Sequence, residues 1–433
     1  MEQARTAGPW ILASSRRLRL FTIFILYVAQ GIPIGLFWYA IPAWMATNGA
    51  DATDIAWVLG LTALPWSLKL INGFLMDRYA FLPMGRRRGW ILGAQLTMIM
   101  VFLAAALVQP AASDILLLGL FGFLGNAATT FQDVGVDSTA VDLLTEDERA
   151  RGGGMMFGGQ LIGTAMATAG TGWAISALGA SGAYLLAACA VIMVTAYVAC
   201  VRERENERLL PWSRGETHAV NLERHAGRWG PILRTTLRSV LLPVSLFWAV
   251  FLLLRGSQYG IMAGVTPLIG AGEAGMSEAE VTSITGVAQL IGGIAGLTVG
   301  AWLGERFGAK WATVGLLCAW MLFNGGMILA VPLWSESGFA PWFITSWFVL
   351  DTVLAVVAIP ISMRLCDARV AATQFTIYMA LNNFGISLGT VLLGFSGQLG
   401  GLVSLFPLMI LGNLVGLAIM LKVRFPRWRI SVA

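Results

Sequence analysis

The sequence predicts an all-α integral membrane protein with twelve transmembrane helices in two six-helix bundles and both termini cytoplasmic. Three observations predict it. First, the 433-residue chain is 57% hydrophobic and only 12% charged, where a soluble globular protein carries about 25% charged residues. Second, a bilayer helix takes about 20 mostly apolar residues, and apolar runs of that size fill nearly the whole chain. Third, Lys and Arg are absent from every second connection between those runs.

The runs fall near 19–46, 54–76, 89–109, 114–141, 153–178, 182–201, 239–270, 279–303, 311–333, 341–363, 371–398 and 402–423. The first follows Arg16, Arg17 and Arg19, and Gln30, Pro33 and Trp38 interrupt it. It is too long and too broken for a cleaved signal peptide and reads as a retained helix. The second closes on Asp77-Arg78, and a basic cluster precedes the third. The fourth carries Asn126, Thr130, Asp133 and Asp137 at helical spacing, so they form one polar stripe. The fifth is rich in glycine, at 152, 153, 154, 158, 159 and 163. The seventh contains Arg255, the tenth Asp351, and the eleventh Asn382-Asn383 with Gly385, Gly389, Gly394 and Gly397. These glycines suit close helix contact.

The connections near 47–53, 110–113, 179–181, 271–278, 334–340 and 399–401 contain no Lys or Arg. Of the 28 basic residues, Lys69 and Arg255 lie inside runs, and the others sit at the termini, in the alternate connections or at run ends on that side. Positive charge marks the cytoplasmic side, which places both termini there and requires an even number of spans. The one long polar stretch divides the runs six and six. The expected organisation is an N-terminal bundle over 1–201, a cytoplasmic linker over 202–238 and a C-terminal bundle over 239–433.

Composition also excludes functions. The net charge of +5 resides at helix ends, so no nucleic acid is expected as partner. Cys189, Cys200, Cys318 and Cys366 are far apart in or beside apolar runs and read as core residues. His218 and His225 share the polar stretch, so any intramembrane proton carrier must be a carboxylate. There is no Gly-x-x-x-x-Gly-Lys-Ser/Thr loop, no nucleophile with a base and no metal-ligand cluster. An enzyme, a cofactor and ATP hydrolysis are therefore not expected. The driving force is expected to be an ion gradient, with a small-molecule substrate, protons and the bilayer as partners of a monomer.

Two stretches repeat. Gly73-Phe74-Leu75-Met76-Asp77-Arg78-Tyr79 follows the second run, and Gly300-Ala301-Trp302-Leu303-Gly304-Glu305-Arg306-Phe307 follows the eighth. They resemble the loop signature of the major facilitator superfamily. Within it, the closer resemblance is to AmpG-type muropeptide permeases and their relatives, the siderophore-uptake permeases and acetyl-CoA transporters. Four stretches carry that resemblance: Gln30-Gly31-Ile32-Pro33; Ser67-Leu68-Lys69 through Tyr79 to Gly85-Arg86-Arg87-Arg88-Gly89-Trp90; Gln132-Asp133 with Asp137; and Ala372-Thr373-Gln374-Phe375. The resemblance implies two bundles that alternate access to a central cavity. It also implies that Gly73, Asp77, Arg78, Arg86, Arg87, Arg88, Glu305 and Arg306 act as gate residues, and Asp142, with Asp137 as a second candidate, as a brace for Arg78 or Arg86. The chain departs from AmpG-like permeases in its seventh run, with Arg255-Gly256-Ser257-Gln258 in place of Lys-Leu-Gly-Asp. It also lacks the Gly-Pro signature of proton-drug antiporters in the fifth.

A charge near the bilayer centre costs about 2.5–3.5 kcal/mol on insertion scales, so each needs a partner, water or a function. Lys69, Asp133, Asp137, Arg255 and Asp351 are five such charges, two cations against three carboxylates. One carboxylate is left over as a proton site: Asp137 or Asp133 first, Asp351 third. Lys69 and Arg255 are the candidate anchors for an anionic substrate, with Gln30, Gln258, Tyr259, Tyr378, Asn382 and Asn383 as further candidate contacts. The function expected is proton-coupled import of an anionic, medium-sized solute such as an anhydro-muropeptide across a bacterial inner membrane. The alternatives are siderophore or other peptide-like or acyl-carrier uptake, then efflux or a transport-inactive receptor.

Overall fold

The computed structural model describes residues 10–336 and 338–422. Its helices are α1 (Arg16–Ile34), α2 (Ile41–Thr47), α3 (Ala52–Leu68), α4 (Leu70–Arg78), α5 (Arg88–Val108), α6 (Ile115–Leu143), α7 (Arg149–Ala199), α8 (Ala219–Arg224) and α9 (Trp229–Val240). They continue with α10 (Pro243–Pro267), α11 (Glu278–Ala295), α12 (Ala301–Leu329), α13 (Phe339–Leu365), α14 (Ala371–Gly394) and α15 (Leu405–Lys422). Side-chain caps start several of them. Ser15 accepts from the Leu18 N–H, Asp51 from the Asp54 N–H, and Ser277 with Glu280 forms a capping box. Among the described residues the only β pairing is an isolated bridge between Ile11 and Arg202.

Nine helices among the described residues are long and apolar enough to cross a membrane. They become ten if Thr53–Leu68 and Leu70–Arg78, bent by 44° at Lys69, make one span. The count differs from the twelve apolar runs because two helical stretches are continuous across turns. Arg149–Ala199 has 51 residues, about 76 Å at 1.5 Å per residue, whereas the hydrocarbon core is about 30 Å thick. Non-helical backbone interrupts it at Gly179 (φ 76°, ψ 176°). The same occurs at Gly308 (φ 74°, ψ 152°) within the stretch Glu280–Leu329. Both glycines occupy the left-handed region, where other residues are strained.

The contacts divide the chain into two compact units. The first comprises 1–145, 159–236 and 367–376; the second comprises 146–158, 237–366 and 377–433. The linker expected at 202–238 therefore belongs almost wholly to the first unit. Its start pairs with the N-terminal segment, where Leu12 N–H donates to Arg202 O at 2.9 Å and Ala13 N–H to Glu203 O at 3.0 Å. The fifth and eleventh predicted runs are each shared between units.

In the first unit α1 and α6 run antiparallel, since Tyr27 meets Asp137, Gln30 meets Asp133 and Trp38 meets Asn126. Gly31 lies against the backbone of Gly163 and Thr164, where a Cβ has no room. In the second unit α10 and α14 cross through facing glycines. A Cβ at Gly256 or Gly260 would strike the carbonyl oxygens of Asn382 or Ile386, and one at Gly385 or Gly389 those of Leu253 or Ser257. Small residues permit this approach where lipid offers helices no hydrophobic drive to associate.

The cysteines correct the sequence reading. Cys366 is buried, but Cys189, Cys200 and Cys318 are exposed. In a chain whose surroundings are apolar, an apolar stretch does not imply a protein core.

Candidate functional site

Lys69, Asp133 and Asp137, the buried charges inside the spans of the first unit, gather around the α3–α4 bend beside α1 and α6. The bend at Lys69 turns its side chain toward α6, and Lys69 Nζ donates to Asp133 Oδ2 at 3.0 Å. The other Asp133 oxygen accepts from Gln30 Nε2 at 2.9 Å. Gln30 Oε1 is buried without a partner. One turn along α6, Asp137 accepts the Tyr27 hydroxyl hydrogen, and no cation lies within ion-pair distance of it among the described residues. Asn72 Nδ2 donates to Thr130 Oγ1 at 2.9 Å. Asn126, fully buried, accepts from both Trp38 Nε1 (3.3 Å) and Trp66 Nε1 (2.9 Å). Lys69 Nζ is 5.7 Å from the Trp66 ring centre, inside the range of a cation–π contact.

The second unit holds the other pair. Arg255 Nη2 donates to both oxygens of Asp351, at 2.9 and 2.8 Å, and its Nη1 to Asn382 Oδ1 at 2.9 Å. Gln258 Oε1 accepts from Asn413 Nδ2 at 2.6 Å. Tyr259 stands edge-on to Trp347, with ring centres 5.6 Å apart. Tyr378 is completely buried with its hydroxyl on Ser245 Oγ, so its side chain is committed to helix packing. Asn383 is exposed and does not join Arg255; successive helical residues point about 100° apart, so only one of the two amides reaches the pair.

The loop residues form a network in the first unit. Asp77, 2% exposed, pairs with Arg87 Nη2 and accepts the Thr373 N–H at 2.8 Å. Arg87 Nη1 also donates to Met76 O. Arg86 Nη1 grips Asp142 at 2.7 and 3.0 Å and donates to Ala368 O at 2.9 Å. Arg88 donates to Val198 O and Ala199 O, the last carbonyls of α7, where a cation satisfies a helix C-terminus. Arg78 lies over the Tyr79 ring at 4.8 Å. Gly73 packs on the Ala372 and Thr373 backbone. In the second unit Glu305 pairs instead with Arg151 at 2.7 Å on a more exposed surface, and Arg306 is exposed.

A linker residue completes the network. Glu203 accepts the backbone N–H groups of Arg86, Arg87 and Arg88 at 2.8, 2.9 and 2.6 Å. Gly85, at φ 100°, turns the chain around this carboxylate, and a Cβ there would collide with it. Beside it, Glu207 accepts from Arg204 N–H at 2.8 Å and from Asn221 Nδ2 at 2.6 Å. Burial, and next the Glu203 charge, push the Glu207 carboxyl up to about 7.

Sequence reasoning missed Tyr27 as the partner of Asp137 and Glu203 as the ligand of the arginine loop. Tyr27 and Gln30 are three apart on α1, matching Asp133 and Asp137 four apart on α6. That spacing was the available signal. Glu203 gave none, being one acid among the mixed charges at 202–207.

The profile of the Major Facilitator Superfamily matches residues 23–394. The chain belongs to that superfamily. Similar relatives include the anhydromuropeptide permease of Escherichia coli (strain K12), 28% identical over 186 residues, which are 41% of this chain and 38% of that protein. The putative transporter AmpG 4 of Rickettsia felis is 26% identical over 192 residues, 44% of this chain and 46% of that one. The matches thus span less than half the length of these curated relatives. Among solved structures, the human organic anion transporter MFSD10 is similar at TM-score 0.63 and 11% identity, and the superfamily transporter FucP at TM-score 0.65 and 13% identity. In both cases the likeness covers 93% of this chain and 98% of the other. At these identities the likeness concerns the fold. The superfamily and the fold are those of multi-pass membrane transporters, not of enzymes.

Proposed function

We propose that this transporter is a proton-coupled importer of an anionic, medium-sized solute in a bacterial inner membrane, with anhydro-muropeptides as the first candidate. The observation that carries it is the pairing pattern of the buried charges. Lys69 has Asp133 and Arg255 has Asp351, while among the described residues Asp137 has the Tyr27 hydroxyl and no ion-pair partner. A carboxylate buried without a counter-charge takes up a proton more readily than one with a cation beside it. The two paired cations then serve an anionic solute, each exchanging part of its carboxylate contact for the substrate. The E. coli relative, by its name, supplies the candidate solute.

The reading includes twelve spans, obtained by dividing the chain at Gly179 and Gly308 and counting the bent pair as one. It also includes cytoplasmic termini and a monomer working by alternating access. Uptake of labelled anhydro-muropeptide into proteoliposomes under an imposed inward proton gradient tests it, using wild type, Lys69→Ala and Asp137→Asn. Gradient-dependent uptake that both substitutions abolish supports the solute and the sites together. No uptake by folded, inserted wild-type protein rejects the solute; uptake indifferent to both substitutions rejects the sites.

A further inference from the structure

α9 is a 12-residue helix, about 18 Å long at 1.5 Å per residue, and its sides are unequal. Ile232 and Thr236, four apart, are buried against the protein. Beside them around the helix, Leu233, Leu237 and Leu241 make a second stripe at the same spacing, and they are 54%, 60% and 55% exposed. Leu241 still belongs to the helical turn, since its N–H donates to Leu237 O at 3.0 Å. A further 100° round stand Arg234 and Arg238, both exposed, with exposed Arg228 ahead of the first turn. Single exposed apolar residues are ordinary on a protein surface, but three in register along one helix form a face that needs a cover.

The surroundings of that face have one electrical sign. Between Glu223 and Glu273 the sequence contains no carboxylate. Among the described residues, none of Arg228, Arg234 and Arg238 has an acid within ion-pair distance.

Both ends of α9 lie where a span meets the membrane surface. At its start, Trp229 stands edge-on to Tyr79, with ring centres 6.1 Å apart, and Tyr79 is the residue on which α4 ends. At its finish, Pro243 opens α10 three residues after Val240, and Leu246 and Phe247 of α10 are exposed as lipid-facing residues are. Both span ends are on the side where the basic residues of the chain collect. A helix tied at both ends to one face of the membrane lies along that face. Its leucine stripe then points to hydrocarbon, while the arginines, on long stems, stand among the headgroups. The cover that fits has negative charge at its surface and hydrocarbon beneath, which describes an anionic phospholipid.

We propose that α9 is a membrane-surface helix that binds anionic phospholipid, with Arg234 and Arg238 taking the phosphates and Leu233, Leu237 and Leu241 resting on the acyl chains. The inference is independent of the solute carried.

The full chain is reconstituted in nanodiscs of phosphatidylcholine alone or mixed with phosphatidylglycerol, and hydrogen exchange of residues 229–242, corrected for intrinsic rates, is followed in each. Exchange is expected to be about fivefold slower, or more, with phosphatidylglycerol, the effect of one arginine near an anionic surface. Raised salt is expected to reduce the difference. Arg234→Gln with Arg238→Gln is expected to abolish it, and Arg234→Lys with Arg238→Lys to keep it. Leu237→Gln is expected to speed exchange in both membranes. The three substituted side chains are exposed on the protein, so an unfolding midpoint unchanged in detergent verifies folding. Equal exchange in the two membranes, a difference that survives the double glutamine variant, or exchange indifferent to Leu237→Gln overturns the proposal. Inorganic phosphate added to phosphatidylcholine nanodiscs is expected to change nothing; protection by it would make the arginines a site for free anions and overturn the lipid assignment.

Discussion

Lys69 and Asp133 are joined at 3.0 Å, whereas Asp137, one turn along the same helix, meets the Tyr27 hydroxyl. The two carboxylates therefore have different work available to them. Amidating Asp137 removes a titratable group without unpairing a cation. Asp137→Asn is expected to lose proton-driven uptake while keeping exchange of labelled for unlabelled solute, because exchange needs no net proton movement. Lys69→Ala is expected to lose both. Parallel loss of uptake and exchange in Asp137→Asn would assign that residue to solute binding instead.

The Arg255–Asp351 pair makes a prediction about stability. Removing one member of a buried pair strands a charge and costs about 3–5 kcal/mol, whereas replacing both with apolar residues of similar size is often neutral. Arg255→Met and Asp351→Leu are each expected to lower the unfolding midpoint in nanodiscs markedly, and the double variant to recover most of the loss. Transport is expected to stay lost in the double variant. A double variant no more stable than either single one would mean that Asn382 or solvent already carries the charge.

How far the sequence reveals this arrangement depends on the cost of the feature. Lys69, Asp133, Asp137, Arg255 and Asp351 are visible because an ionised group in an apolar run is expensive. Tyr27 is not, because a tyrosine in a span costs little and its hydroxyl direction depends on which helix lies opposite. The runs mark the spans, but Gly179 and Gly308 join neighbours with so little intervening chain that helical hydrogen bonding is nearly continuous across them. Cys189 and Cys318 show the converse limit: a lipid-facing helix surface and a buried one have the same composition.

Glu203 and Gly85 make a local lock whose parts are separately testable. Three backbone N–H groups converge on one carboxylate, and such charge-assisted bonds contribute about 1.5–3 kcal/mol. Glu203→Ala is expected to destabilise the first unit by about 2 kcal/mol or more and to speed proteolysis within 202–224. Gly85→Ala is expected to do the same, since the methyl group meets the Glu203 carboxylate and the backbone is at φ 100°. The combination is expected to cost little more than either alone, because both break one contact. Additive losses would separate the glycine turn from the carboxylate it surrounds.

Glu207 gives the linker a pH dependence of definite sign. Its carboxyl is raised to about 7 in the folded chain, by burial first and Glu203 second, against about 4.3 in an unfolded chain. Between those values the folded protein holds a proton that the unfolded chain has released, so stability falls as pH rises through that window. The contribution is fully present below the unfolded value and lost as pH passes about 7. His218, nearby, has the opposite sign, because burial and Arg204 hold it below its ordinary value and its contribution fades on acidification. Hydrogen exchange of residues 204–224, corrected for intrinsic rates, is therefore expected to be severalfold faster at about pH 8 than at about pH 6. Glu207→Gln removes the titration while keeping an acceptor for Arg204 N–H and Asn221, and is expected to make the corrected exchange rates nearly equal at the two values. A wild-type difference that survives in Glu207→Gln would mean that Glu207 is not its source.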